Sequence, residues 1–235
     1  MDQQVTFSAA KRTQLWETVL ESLRTAIVNG VLAPGTQIIE TEIAEKMSVS
    51  RWPVRQAITR LEQEHLVVTY PNRGAFVVGL TREDIREIYA LRRLLELYAL
   101  QQAMPRMTPE HLKEMSGLIE EMERSMRIGN VQQFITSDLA FHQKVMDVSG
   151  SKRLTEMWEM LAGPLRPLLI MGATLIPNVS ENLGPRHQIL VEAYGSGDIQ
   201  KAVKALEAHL NDAEQRSLRF MDSPVNPGNH IENSE

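Results

Sequence analysis

Two short helical patterns separated by three residues constrain the fold of this chain more than any other feature. Residues 41–47 predict a short helix with one apolar face. Residues 51–64 predict a second helix, in which Val54, Ile58 and Leu61 recur at spacings of four and three. Two short helices joined by a turn of three or four residues form a helix-turn-helix, a motif that places its second helix in the major groove of DNA.

The residues on either side of this pair predict the rest of a DNA-binding unit. Residues 13–29 have the period of an amphipathic helix, and Gly30 ends it. Two β-rich runs, LVVT (66–69) and AFVV (75–78), enclose the turn sequence YPNRG (70–74). A turn with Asn and Gly between such runs indicates a hairpin, so we predict a winged helix-turn-helix with this hairpin as its wing.

The second part of the chain predicts helices alone. Helical patterns cover six segments, at 82–103, 108–128, 131–148, 152–176, 181–195 and 198–221. The expected fold class is therefore mainly α, with an N-terminal winged helix-turn-helix and a C-terminal antiparallel all-helical bundle. We place the two domains at residues 8–79 and 80–222, and we expect the polar, Pro- and Asn-containing segment 223–235 to be a disordered tail.

Composition excludes several other classes of protein. The chain has no cysteine, which rules out disulfides and thiolate metal sites. The first residues lack the apolar core of a signal peptide, and no stretch reaches the ~20 apolar residues of a membrane span, so we expect a cytoplasmic protein without a membrane partner. The net charge is −5, but residues 11–79 hold eight Lys and Arg against seven Asp and Glu. Binding to DNA depends on where the positive charges point rather than on the total.

The second helix of the motif carries two arginines on its polar face. Arg51 and Arg55 are four residues apart, opposite the apolar stripe and near the helix N-terminus, which is the end that enters the major groove. A guanidinium there can bind guanine O6 and N7 or a phosphate. Ser50 is placed to cap the helix or to contact a phosphate. A merely solvated arginine face is the alternative, and the surrounding motif argues against it.

Four residues of the helical part have the chemistry of a metal site. Asp138 and His142 lie one helical turn apart. His187 and His209 lie roughly 12 and 16 Å from the turn at residues 195–197, so on antiparallel helices their imidazoles could meet. One carboxylate and three imidazoles suit Zn²⁺, or nickel or another late transition metal. Each histidine taken alone is more often an ordinary surface or core residue.

The first part of the chain resembles the GntR-type winged helix-turn-helix. The resemblance rests on G30-V-L-A-P-G35, on E42-I-A-E-K-M-S-V-S-R-W-P-V-R-Q-A-I-T-R-L61 and on R73-G-A-F-V77. It implies a wing tip near the minor groove at Arg73 and Gly74. It also implies that DNA is contacted by Thr41, Ser50, Arg51, Trp52 and Arg55.

Two positions depart from the pattern of that family. Trp52 stands where the family usually has Thr, and it can touch a thymine methyl, stack on a sugar or pack against the protein. His65 stands where a Gly usually ends the second helix, and we expect it to lose the easy left-handed cap and to change the local geometry.

The helical part resembles the FCD-type effector domain, and the whole chain resembles the FadR subfamily of such regulators. The segments that match are D138-L-A-F-H142, H187-Q-I-L-V-E-A-Y-G-S-G-D198 and A205-L-E-A-H209. The resemblance implies that Asp138, His142, His187 and His209 bind a metal inside the bundle and leave positions for water or an organic acid.

Two arginines are of interest in this resemblance. Arg92, in L91-R-R-L-L-E96, matches a first-helix signature, which implies that it reaches the carboxylate of an effector. A structural ion pair with Glu96 is the alternative. Arg186 stands where the family usually has Glu, and it either favours an anionic effector or points to solvent.

These features predict a DNA-binding transcription regulator rather than an enzyme. We expect a homodimer on a palindromic operator, controlled by a small carboxylate or sugar acid. Repression relieved by the ligand is the commoner behaviour in the family that the chain resembles. Two alternatives remain. One is a metal-dependent hydrolase, although the sequence has no second catalytic motif near the metal residues. The other is a regulator whose metal is purely structural.

Overall fold

The structure is a computed structural model that describes residues 12–28, 31–174 and 179–221. Within these ranges lie three strands, β1 (Gln37–Ile38), β2 (Val67–Tyr70) and β3 (Gly74–Val77), and one 3₁₀ turn, Met104–Arg106. The helices are α1 (Arg12–Val28), α2 (Glu40–Lys46), α3 (Arg51–Gln63), α4 (Arg82–Ala103), α5 (Pro109–Arg127), α6 (Val131–Ser149), α7 (Lys152–Thr174), α8 (Val179–Gly195) and α9 (Ile199–Met221). The predicted tail 223–235 lies outside the described residues, and the predicted domain limits remain a prediction.

The helix-turn-helix is built by α2 and α3, and α1 packs on α3. The predicted apolar stripe of α3 is buried, since Val54, Ile58 and Leu61 are 0–7% exposed. The guanidinium of Arg24 in α1 forms two hydrogen bonds to Glu64 just beyond α3, at 2.7 and 2.9 Å. The stripe predicted for α1 is buried from Val19 onward, but it does not begin as early as the sequence pattern indicates, because Leu15 is 50% exposed.

The wing has one strand more than the predicted hairpin. β2 and β3 pair antiparallel, with Tyr70 opposite Gly74, and this confirms the hairpin. β1 adds to the other edge of β3, with Gln37 opposite Phe76, so the sheet order is β1-β3-β2. The extra strand ties the segment before the helix-turn-helix to the wing behind it.

The end of α3 corrects the expectation for His65. His65 adopts the left-handed conformation, with φ of 57°, although it carries a Cβ. The His65 N–H donates to the Glu62 carbonyl and the Leu66 N–H to the Leu61 carbonyl, at 3.0 and 2.9 Å. This is the bond pattern of a Schellman cap, so the cap is kept and the residue bears a strain of roughly 1–2 kcal/mol that a glycine would avoid.

The six helices predicted for the second part form a bundle. Thr81 and Asp84 make a capping box that starts α4. α4 packs against α6, α7 and α9, and α5 packs against α6 and α8. The interior holds large side chains with almost no exposure, including Trp158, Phe141 and Tyr194. None of the helices in the described ranges has the length and apolar character that a membrane span requires.

The bundle meets the DNA-binding unit through α7. The His65 ring lies directly over Gly163, so close that a Cβ built there would be 2.3 Å from His65 Nε2. A groove of about 1010 Å³ runs beside this contact, and both the sheet and Leu161, Pro164 and Pro167 of α7 line it. One bundle helix therefore carries much of the contact between the two parts.

Candidate DNA interface and metal centre

The predicted DNA-contacting residues are all exposed. Five of them lie in or directly before the two helices of the motif, and two lie at the tip of the wing. They are Thr41, Ser50, Arg51, Trp52, Arg55, Arg73 and Gly74. Nothing within the described protein covers this surface.

Glu40, which the sequence analysis did not single out, holds the two arginines of α3. Its Oε2 accepts hydrogen bonds from Arg51 Nη2 and from Arg55 Nε, both at 2.8 Å. Burial of this carboxyl acts to raise the pKa of Glu40, but the hydrogen bonds from Arg55 and Arg51 outweigh it and lower the pKa. The charged carboxylate orients both guanidiniums at the start of α3.

Ser50 and Trp52 are both available to a partner. Ser50 occupies the N-cap position of α3, and its hydroxyl makes no capping hydrogen bond to the described residues. Trp52 is 54% exposed, so most of its indole faces solvent instead of packing against the protein.

The wing tip presents Arg73 in a fixed turn. The Arg73 N–H donates to the Tyr70 carbonyl at 3.1 Å, and Gly74 takes a φ of 92° that favours glycine. Gln37 Nε2 donates to the Arg73 carbonyl at 2.8 Å. The Arg73 guanidinium lies 5.7 Å from the centre of the Tyr70 ring, which supports the side chain at the tip.

Three helices of the bundle bring the predicted histidines together. His142 comes from α6, His187 from α8 and His209 from α9, and one nitrogen of each ring lies within 4.8 Å of the others. The ring centres of His187 and His209 are 4.7 Å apart. The first two rings are buried and the third is half-buried.

Hydrogen bonds fix which nitrogen of two rings is available. His142 Nδ1 lies 2.6 Å from Glu96 Oε2, and His187 Nδ1 lies 2.9 Å from the Leu183 carbonyl. Because a carboxylate and a carbonyl only accept, Nδ1 carries the proton in both rings and Nε2 is left as the donor atom for an ion. Such outer partners are typical of metal-binding histidines.

The third ring is suited to a ligand role by its surroundings. Burial, followed by the neighbouring His187 and His142, holds the pKa of His209 well below its ordinary value. A neutral imidazole keeps the lone pair that a metal needs.

Asp138 joins the cluster through His187. Asp138 Oδ1 lies 3.3 Å from His187 Nε2, and both side chains are buried. With the His187 proton on Nδ1, two lone pairs face each other across this gap, which is unfavourable unless a proton or a cation lies between them. The donor set of three nitrogens and one carboxylate fits Zn²⁺ or a related late transition metal.

Arg92 forms the ion pair that was considered for it and also keeps a guanidinium nitrogen without a partner. Its Nε donates to Glu96 Oε1 at 2.7 Å, so the ion pair with Glu96 is present. Its Nη2 is buried and has no hydrogen-bond acceptor among the described residues, and the side chain is 3% exposed. Burial acts to lower the pKa of Arg92, but Glu96 and other neighbours outweigh it, so the guanidinium stays charged.

A cavity of about 60 Å³ opens beside the histidines. Arg92, Asp138 and the three histidines line it together with Arg186 and Arg216. Arg186 Nε lies 3.3 Å from Asp212 Oδ2, and Arg216 also contacts that carboxylate. Glu96, Arg216 and Asp212 were not predicted as part of the site.

Comparison with known proteins agrees with both parts of the molecule. Residues 87–212 match the sequence model of the FCD domain, and residues 15–77 match that of bacterial regulatory proteins of the gntR family. The gluconate operon transcriptional repressor of Bacillus subtilis (strain 168) is 27% identical over 202 residues, which cover 84% of this chain and 83% of the repressor.

Solved structures agree with this match. A GntR transcriptional regulator from Rhodococcus sp. RHA1 is 26% identical with a TM-score of 0.61, over 87% of this chain and 98% of that one. E. coli McbR/YncC is 24% identical with the same TM-score, over 88% and 98%, and shows the fold. These families consist of transcription regulators rather than enzymes, which excludes the hydrolase alternative. The chain belongs to the GntR family of bacterial regulatory proteins and carries an FCD domain.

Proposed function

We propose that this protein is a cytoplasmic, homodimeric repressor whose binding to a palindromic operator is controlled by a small organic acid. The acid binds in the cavity of the bundle, at or beside a divalent metal held by Asp138, His142, His187 and His209. The observation that carries this proposal is the buried, unpaired Nη2 of Arg92 in the cavity that the three histidines line.

The DNA-binding half of the proposal is supported by the exposed, oriented arginines. Arg51 and Arg55 project from the first two turns of α3 and are held by one carboxylate. Bidentate contacts from such arginines to guanine distinguish base pairs in the major groove. Two-fold symmetric dimers of such motifs read two half-sites about one helical turn apart.

The effector half is supported by unsatisfied donors. A buried guanidinium nitrogen without an acceptor costs free energy, and a ligand carboxylate supplies the acceptor in a planar, two-bond geometry. A late divalent metal, when bound, supplies a positive centre that attracts the same carboxylate. The relative named for a gluconate operon supports repression and places sugar acids among the ligands to test.

α7 gives a route from the cavity to the DNA-binding unit. Leu168, Leu169 and Gly172 line the cavity, while Gly163 two turns earlier contacts His65. A ligand that binds one arrangement of α7 better than another shifts the equilibrium between them, by an amount set by its difference in affinity. The position of the DNA-binding unit changes with that equilibrium. Release of the operator is the expected response.

The test combines thermal unfolding with DNA binding. The purified protein is analysed for bound metal, and then unfolded with a panel of small carboxylates and sugar acids, with and without EDTA. We expect one acid to raise the unfolding midpoint, EDTA to abolish that rise, and the same acid to weaken binding to an operator selected from random duplexes.

A matched pair of variants controls this test. His187→Ala removes a proposed ligand. His111→Gln changes a histidine outside the cluster, and the glutamine can take the part of His111 in the capping box with Thr108. We expect the first variant, and not the second, to lose the metal and the response. An EDTA effect on stability with no response to any acid would favour the purely structural metal.

A further inference from the structure

Three arginines line the cavity beside the histidines, and only one of them is explained by the proposed function. Arg92 on α4 faces the centre of the site, whereas Arg186 comes from α8 and Arg216 from α9. Arg216 follows His209 by seven residues, which places it two helical turns further, roughly 10 Å along the same face. Arg186, which directly precedes His187, and Arg216 thus form a pair of positive charges on α8 and α9.

The carboxylate beside this pair does not satisfy both guanidiniums. Asp212 is the carboxylate in contact with both Arg186 and Arg216, and its side chain is 51% exposed. Nη1 of Arg186 is buried without an acceptor in the described part of the chain. Burial, and then the charge of Arg186, lower the pKa of Arg216 to about 10, as expected for two cations that are forced together.

With a divalent metal bound, the charges of the site balance only when a further anion is added. Three cations face three carboxylates, namely Arg92, Arg186 and Arg216 against Glu96, Asp138 and Asp212. A divalent metal on neutral histidines then leaves two positive charges in a largely buried place. A ligand with two negative charges restores neutrality, and a ligand with one does not.

The size of the cavity limits the ligand. A space of about 60 Å³ is a few times the roughly 10–15 Å³ that a single water molecule needs. This suits an acid with a few carbons between its charged groups, and it excludes a long acyl chain without movement of the helices.

We propose that the effector is a dicarboxylate of three to five carbons, with one carboxylate at the histidines and Arg92 and the other at Arg186 and Arg216. This inference rests on the proposed function and narrows its ligand class. It assigns Arg186 and Arg216 as residues that select for the second carboxylate.

The experiment is isothermal titration of the Zn²⁺-loaded, full-length protein with matched pairs of acids. Malonate, succinate and glutarate are compared with propionate, butyrate and valerate, which have the same number of carbons and one charge less. We expect at least one dicarboxylate to bind ten or more times more tightly than its partner, because a second ionic hydrogen-bonded contact contributes about this factor.

Arg186→Gln and Arg216→Gln test the assignment of the second site. Each is expected to weaken the preferred dicarboxylate about tenfold and to change monocarboxylate binding less than twofold. The Zn²⁺ affinity and the operator affinity of each variant are measured as controls. Wild-type values show that the variant is folded and keeps the metal site.

The outcomes separate this inference from the proposed function. If a monocarboxylate binds as tightly as its dicarboxylate, or if both variants bind the two classes as the wild type does, the second site is refuted and the proposed function stands. If none of these acids, no other carboxylate and no sugar acid binds the Zn²⁺-loaded protein, both fail.

Discussion

Arg55 near the start of α3 donates a hydrogen bond to the carboxylate of Glu40 in α2, at 2.8 Å. Arg51 donates to the same oxygen. In the free protein these arginines are therefore held in place by an acid that carries the same charge as DNA. The acid orders the guanidiniums and also opposes the approach of phosphates.

Replacement of Glu40 separates these two effects. We expect Glu40→Gln to bind random duplex DNA a few times more tightly, since one negative charge is removed from the interface. Preference for the selected operator over random DNA should fall, because the arginines are less ordered. Fluorescence anisotropy over a range of salt concentrations measures both affinities.

Glu42→Gln is the matched control for this variant. Glu42 lies in the same helix and pairs only loosely with Lys46, at 3.9 Å. The control should raise the two affinities equally and leave the preference unchanged. Unchanged preference in both variants would show that Glu40 acts through its charge alone.

Arg55→Ala should weaken binding to the operator by about 1–3 kcal/mol, the range for an arginine that contacts a base. Arg60→Ala, in the last turn of the same helix, removes an equally exposed arginine and is expected to change operator affinity much less. Competition with operators altered at single positions identifies the base that Arg55 reads. Equal losses in the two variants would contradict a base contact by Arg55.

Trp52→Thr should change which operator is preferred without a large change in stability. The indole is mostly exposed, and surface substitutions of this kind shift the free energy of unfolding by about 0.5 kcal/mol or less. Selection of binding sites from random duplexes, carried out in parallel for wild type and variant, reads out the preference. Identical selected sites would exclude a role for Trp52 in recognition.

Glu96→Gln should weaken metal binding about 10–100-fold although Glu96 is not a proposed ligand, because its carboxylate orients His142. Competition with a chromogenic chelator measures this affinity. The unfolding midpoint of the metal-free variant is measured separately, since the change also leaves Arg92 without its ionic partner. Unchanged Zn²⁺ affinity would show that His142 needs no support from Glu96.

Gly163→Ala should weaken the response of DNA binding to the effector, because a Cβ at this position displaces the His65 ring. His65→Ala removes the ring and makes room for the added methyl group. In a double-mutant cycle, we expect the double variant to lose less of the effector response of DNA binding than the sum of the losses in the two single variants. Strict additivity would show that this contact does not link the two parts.

The sequence pattern predicted the helices well because their apolar periods are long and their ends are marked. Asn130 and Gly150 are such end signals, and the structure has the N-cap and the C-cap of α6 at these two residues. β1 was missed because two residues cannot show an alternation. His65 was misjudged because its backbone conformation is imposed by the packing around it rather than by its own preference.

For the candidate site, the helical period was enough to suggest that the histidines meet, but not to find their partners. Glu96 is 46 residues from His142 in the chain, and in the sequence it pairs as naturally with Arg92. Arg216 and Asp212 follow His209 on one helix without any motif of their own. Such contacts depend on how helices are rotated against each other, which a single sequence does not encode in a readable form.

The two prolines within α7 have a mechanical consequence. Pro164 and Pro167 have no N–H, so the carbonyls of Met160 and Gly163 lack their usual helical donors. The helix is therefore softest in the turn between its cavity wall and its contact with His65. If a bound ligand displaces the cavity end of α7, we expect the helix to bend at these prolines. The segment that contacts His65 would then rotate as a unit, and the displacement would not be distributed along the whole helix.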